Sequence, residues 1–127
     1  MGSYQKPGFW RSLIQAWRGM LHTWRTQGHM KFHSVAGICV LCFAWWWGVT
    51  TFEWLILIVA IGCVISAEIM NTAIEIVVDM VQPDFHPLAG MAKDVAAGAV
   101  LVATIQAIAI GMIVFFPHLL RLVSTVF

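Results

Sequence analysis

Two stretches of this chain, Ser34 to Val49 and Leu55 to Ala67, carry no charged residue, and a third, about Ala92 to Phe116, is charged only at its start. Within 127 residues that pattern leaves little room for a water-soluble fold. The chain is 61% hydrophobic and 10% charged, and a soluble domain this small has too much surface to hide so much apolar side chain. Lipid must be the solvent for most of it. The expected fold is all-α and integral to a membrane: a single domain over 1–127 with three transmembrane helices and an N-terminal amphipathic surface helix.

Phe9, Trp10, Leu13, Ile14, Trp17, Met20, Leu21 and Trp24 recur at helical spacing, with Arg11, Gln15, Arg18, His22 and Arg25 beside them. A stripe of tryptophans flanked by arginines suits a helix lying in the headgroup region, over about 8–27. A soluble helix packed on a core would show the same period; the lipid-seeking sequence that follows favours the interfacial reading. The first span is expected at about 31–49, closing on the aromatic belt Trp45, Trp46 and Trp47. Gly48 to Glu53 is a tight connection. The second span, about 54–81, begins apolar and ends with charges on one face. Pro83, Pro87 and Gly90 make 82–91 a loop. The third span, about 92–116, is expected to stop at Pro117. Its Ala99, Ala103, Ala107 and Gly111 form a small-residue stripe that suits close helix packing.

Lys6, Arg11, Arg18, Arg25 and Lys31 precede the first span, and Lys93 lies between the second and third. The positive-inside rule therefore puts the N-terminus in the cytoplasm and the C-terminus outside a bacterial cell membrane. No cleavable signal peptide is expected, because Arg11, Arg18 and Arg25 interrupt the first apolar positions. Cys39, Cys42 and Cys63 lie inside apolar runs and read as small hydrophobes. Net charge is +1, which argues for no nucleic-acid partner.

The chemistry is written between Glu68 and Asp79. Glu68, Asn71, Glu75 and Asp79 are spaced three, four and four apart, so the carboxylates fall on one helical face, within roughly 40° of arc. Acids on a membrane helix are costly unless they snorkel to water or meet cations. Asp79 can reach water at the helix end; Glu68, roughly 20 Å before the loop, calls for a polar cavity or a cation. Carboxylate and amide oxygens are the hard ligands Mg²⁺ takes together with substrate phosphates. Lys93 with Asp94, at the start of the third helix, offers a basic anion site, or else an ordinary positive-inside anchor. Acids for a metal beside a basic helix start suggest a nucleotide, although the chain has no Walker P-loop and no kinase-type glycine loop. On this reading Glu68, deepest in the bilayer, is the base for a lipid hydroxyl, and Glu75 the metal ligand.

The segments from Glu68 to Asp79 and from Ala92 to Val100 closely resemble the bacterial membrane diacylglycerol kinase family, with a match running from about Arg11 to Leu120. His86-Pro87-Leu88-Ala89 and Phe115-Phe116-Pro117 resemble its Gram-positive branch, whose members act mainly as undecaprenol kinases. The resemblance implies a homotrimer with active sites between subunits and ATP- and Mg²⁺-dependent phosphorylation of a membrane lipid alcohol. The acceptor would be undecaprenol, with diacylglycerol the alternative. By the same resemblance Glu68 matches the catalytic base, with Ala97 beside the lipid, and Glu75 a metal ligand. Asn71, Asp79, Lys93 and Asp94 match residues around the nucleotide phosphates. Asp84, Phe85 and His86 match the adenosine end, where His86 alone would read equally well as an interfacial histidine. Arg11 matches a basic residue near the phosphates. Gln27 stands where the family has a second metal-binding glutamate, and its neutral amide should hold Mg²⁺ more weakly.

Two readings of other classes compete. An ion-coupled carrier also needs intramembrane acids, but nearer the bilayer centre than Glu75 and Asp79. A scaffold built on the small-residue stripe would leave Glu68 dispensable for anything but stability.

Overall fold

The computed structural model describes residues 8–126, and Lys6, among the basic residues used to orient the chain, lies outside them. Four helices follow one another: α1 (Phe9–Thr26), α2 (Gly28–Trp47), α3 (Thr51–Val81) and α4 (Pro87–Val126). There is no strand among the described residues. The last three helices are long and apolar enough to cross a membrane, and their outer faces bear large exposed hydrophobics such as Trp45, Ile58, Leu101 and Ile113. In water such a surface would aggregate; in lipid it is solvated.

Gln27 alone separates α1 from α2. It is extended, ends α1 by donating its backbone N–H to Thr23 O, and starts α2. The first span therefore begins at Gly28, three residues before the expected start. Trp17, Met20, Leu21 and Trp24 of α1 line an apolar groove of about 410 Å³ with Met30, Ile38 and Leu41 of α2 and Ile61 and Ile65 of α3. At Gly37, a Cβ would come within 3.1 Å of the Ile61 side chain, so the hydrogen there lets α2 and α3 approach.

The α2–α3 turn relies on two local devices. Gly48 adopts a left-handed φ of 62°, which costs an L side chain energy. Thr50 and Glu53 then form a reciprocal capping box that starts α3 at Thr51. Glu53 is thus the first-turn acid of α3, and the helix starts at Thr51, three residues earlier than the expected start of that span.

The third span differs from expectation at both ends. Pro87 sits in the first turn of α4, where its missing N–H costs nothing. The His86 ring Nδ1 accepts from Leu88 N–H at 3.2 Å and caps the helix. The loop shrinks from 82–91 to 82–86, and Gly90 is helical. At the far end α4 runs straight through Pro117. Proline there leaves the Ile113 carbonyl without its helical donor, but contacts on either side hold the helix. Phe115 packs on Trp47 at 5.5 Å between ring centroids, His118 stacks on the same indole, and His118 Nε2 lies 3.3 Å from Glu53 Oε1. Ala44, Val49, Leu57 and Val114 form the core beneath them. Of the small-residue stripe, Ala103 is buried, Ala107 and Gly111 partly so, and Ala99 exposed.

Candidate functional site

Helix lengths decide where the acidic face sits. A hydrocarbon slab about 30 Å thick takes ~20 helical residues, whereas α3 has 31. From Thr51, Glu68 is about 25 Å along the axis and Glu75 about 36 Å. With the tryptophan-rich end of the bundle at one membrane surface, Glu68 falls just inside the other boundary, and Glu75 and Asp79 fall beyond it. The acids step from lipid into water, which is where a lipid hydroxyl lies. This is shallower than the carrier reading requires.

Each carboxylate of the row meets a different element. Glu68 is 3% exposed, and its Oε1 lies 3.3 Å from His33 Nε2 on α2. Two turns on, Glu75 accepts from Gln27 Nε2 at 2.9 Å through Oε2 and from Asn71 Nδ2 at 2.9 Å through Oε1. One turn further, Asp79 Oδ1 takes the Lys93 ammonium of α4 at 2.5 Å. Thr72, buried beside Glu68, returns its hydroxyl to the Glu68 backbone carbonyl at 2.9 Å and leaves the carboxylate to His33.

Sequence reasoning missed His33. The register of two antiparallel helices carries its signal: six residues along α2 from Gln27 reach His33, and seven residues back along α3 from Glu75 reach Glu68. Once Gln27 meets Glu75, His33 must lie near Glu68.

Gln27, Asn71 and Glu75 come together, as do Asp79 and Lys93. The anion site is differently made. Lys93 lies nearly two turns inside α4, so the amides of 92–94 belong to the helix interior, and its ammonium, not a helix terminus, supplies the positive charge. Asp84 and Phe85 project from the loop, Phe85 at 93% exposure. His86 caps α4. Arg11, Asp94 and Ala97 are exposed on α1 and α4. Among the described residues no hydrogen bond or ion pair joins these six to the acidic row.

The donor set suits a hard divalent cation only in part. Among the described residues no three His, Cys, Asp or Glu side chains cluster as a metal cage. Glu75 supplies one carboxylate, Gln27 and Asn71 carry amide oxygens, and Asn71 Oδ1 is buried without a hydrogen-bond partner. One carboxylate with neutral oxygens, completed by substrate phosphates, is the kind of site Mg²⁺ accepts.

Comparison with known proteins fixes the class. The prokaryotic diacylglycerol kinase family model matches residues 14–115. The undecaprenol kinase of Bacillus subtilis (strain 168) is 40% identical over 111 residues, which are 87% of this chain and 90% of that protein. The diacylglycerol kinase of Escherichia coli (strain K12) is 36% identical over 85 residues, 67% of this chain and 70% of its own. That of Synechocystis sp. is 38% identical over 98 residues, 76% of this chain and 56% of its own. Carrier and scaffold give way to an enzyme: the chain belongs to the prokaryotic diacylglycerol kinase family and is a membrane lipid kinase, a phosphotransferase with an alcohol acceptor.

Proposed function

We propose that the protein transfers the γ-phosphoryl group of ATP, as its Mg²⁺ complex, to undecaprenol. The observation that carries the reaction is the acidic row of α3, buried at Glu68 and emerging at Asp79 beside Lys93. The choice of undecaprenol rests on the Bacillus relative, matched over more of both chains than the Escherichia diacylglycerol kinase. Diacylglycerol is the alternative, since it too presents one hydroxyl at the end of an apolar body.

In this mechanism Glu68 orients the lipid hydroxyl and accepts its proton as the oxygen attacks phosphorus. Glu75, with Gln27, would hold Mg²⁺, which would neutralise charge on the phosphates, and Asn71 lies beside them. Lys93 offsets further phosphate charge, and Asp79 fixes the ammonium. Asp94 lies beside that pair, Arg11 approaches the phosphates from the surface helix, and Asp84, Phe85 and His86 meet the adenosine. Ala97 leaves room for the lipid. Arg11, Asp84, Phe85, Asp94 and Ala97 all face outward from one protomer, which supports a homotrimer that closes the site between neighbours. The basic residues before the first span, with Lys93, support a cytoplasmic site end and a C-terminus outside.

The test is purified protein in lipid vesicles with γ-labelled Mg-ATP and undecaprenol or diacylglycerol in turn. Label should enter the lipid phase with both, and faster with undecaprenol. Faster labelling of diacylglycerol would reverse the substrate assignment, and no labelling of either would reject the reaction.

A further inference from the structure

The imidazole of His33 belongs to no role described so far. It lies on α2, twelve residues before Trp45 of the tryptophan belt, with its side chain 15% exposed and its Nε2 3.3 Å from a carboxylate that is 4% exposed. It also lines an apolar cavity of about 320 Å³ between α2, α3 and α4, whose walls include Ala36, Val64 and Thr104. Glu68 itself is buried, and a buried polar group needs a hydrogen-bond partner. Among the described residues His33 is the partner of the Glu68 carboxylate, and it reaches only Oε1.

We infer that His33 is a positioning residue for Glu68: its Nε2–H donates to Oε1 and turns Oε2 toward the lipid hydroxyl. This rests on Glu68 being the base, as proposed above. In the step itself the hydroxyl oxygen forms the new bond to the γ-phosphorus and its proton passes to Glu68 Oε2. The bond from that phosphorus to the bridging oxygen breaks, and its electron pair leaves with ADP. His33 keeps its proton throughout. Its contribution is the angle of the carboxylate, in the way that an outer partner sets the orientation of a reacting group.

The experiment compares His33→Phe, His33→Gln, Glu68→Gln and the double variant His33→Phe/Glu68→Gln in vesicles, with kcat and KM for Mg-ATP measured for each. Phe keeps the ring volume without a donor; Gln can place an N–H near the position of Nε2. We expect His33→Phe to lower kcat about 100-fold with KM for Mg-ATP within about twofold, and His33→Gln to recover most of the loss. On the Glu68→Gln background, His33→Phe should cost little more, because both act through one group. Wild-type kcat in His33→Phe, equal losses in the Phe and Gln variants, or full additivity in the double variant would each overturn the inference. If Glu68→Gln is impaired while His33→Phe is not, only the role of His33 fails. If Glu68→Gln matches wild type, the base reading itself falls.

Discussion

Gln27 Nε2 donates to Glu75 Oε2 at 2.9 Å, which ties the hinge between the surface helix and the first span to the middle of the acidic row. An amide is a good neighbour for a carboxylate without a metal, and a mediocre one with it. Gln27→Glu would set two carboxylates against each other, and like charges so close repel unless a cation lies between them. The substitution should lower the thermal stability of the metal-free protein and restore it with Mg²⁺. The dependence of activity on Mg²⁺ should shift to lower concentration. Titration of activity and melting temperature against Mg²⁺, wild type beside variant, checks both. Parallel curves would remove Gln27 from the metal.

Lys93 and Asp79 form a half-exposed pair, with side chains 36% and 62% exposed. Pairs of this kind contribute about 1 kcal/mol or less to stability. Lys93→Met should therefore leave the melting temperature nearly unchanged, yet raise KM for Mg-ATP about tenfold, since in the proposed site that charge offsets phosphate. Steady-state kinetics and thermal unfolding in the same detergent separate the two effects.

The capping box of Thr50 and Glu53 stands at the opposite end of α3, about 35 Å or more from Glu75. Thr50→Ala removes the side-chain acceptor for Glu53 N–H and the hydroxyl bonded to the Glu53 carboxylate. It should cost about 1 kcal/mol of stability and leave kcat and KM unchanged. Thermal unfolding with matched kinetics is the check, and a drop in kcat would show that the two ends of α3 are coupled.

The three spans, the surface helix and the acidic face were legible because each rests on a one-dimensional signal: an uncharged run, a 3.6-residue period, acids three and four apart. Helix ends were less so. Pro87 and Pro117 read as breaks, yet one starts α4 and the other is carried inside it. A proline stops a helix only when nothing else supports the turn; here Trp47 of α2 and Glu53 of α3 do so, through Phe115 and His118 on either side of Pro117. His33 was invisible for a similar reason. A lone histidine near a helix start carries no period, and its partner lies thirty-five residues away on α3. Antiparallel register was the missing step. It also runs along α3 and α4, where Asp79 meets Lys93 at one end and Glu53 meets His118 at the other.

In the proposed reaction the chemistry rests on the buried carboxylate at the membrane boundary, so Glu68→Gln is the decisive comparison. The amide keeps the size of the side chain and cannot accept the hydroxyl proton. Phosphoryl transfer to undecaprenol in vesicles, measured at saturating Mg-ATP, should fall by about 100-fold or more, while the Kd for Mg-ATP measured on the same preparation stays at the wild-type value. Turnover within a few-fold of wild type would contradict the role of Glu68, and with it the reading of the acidic row as the site of transfer.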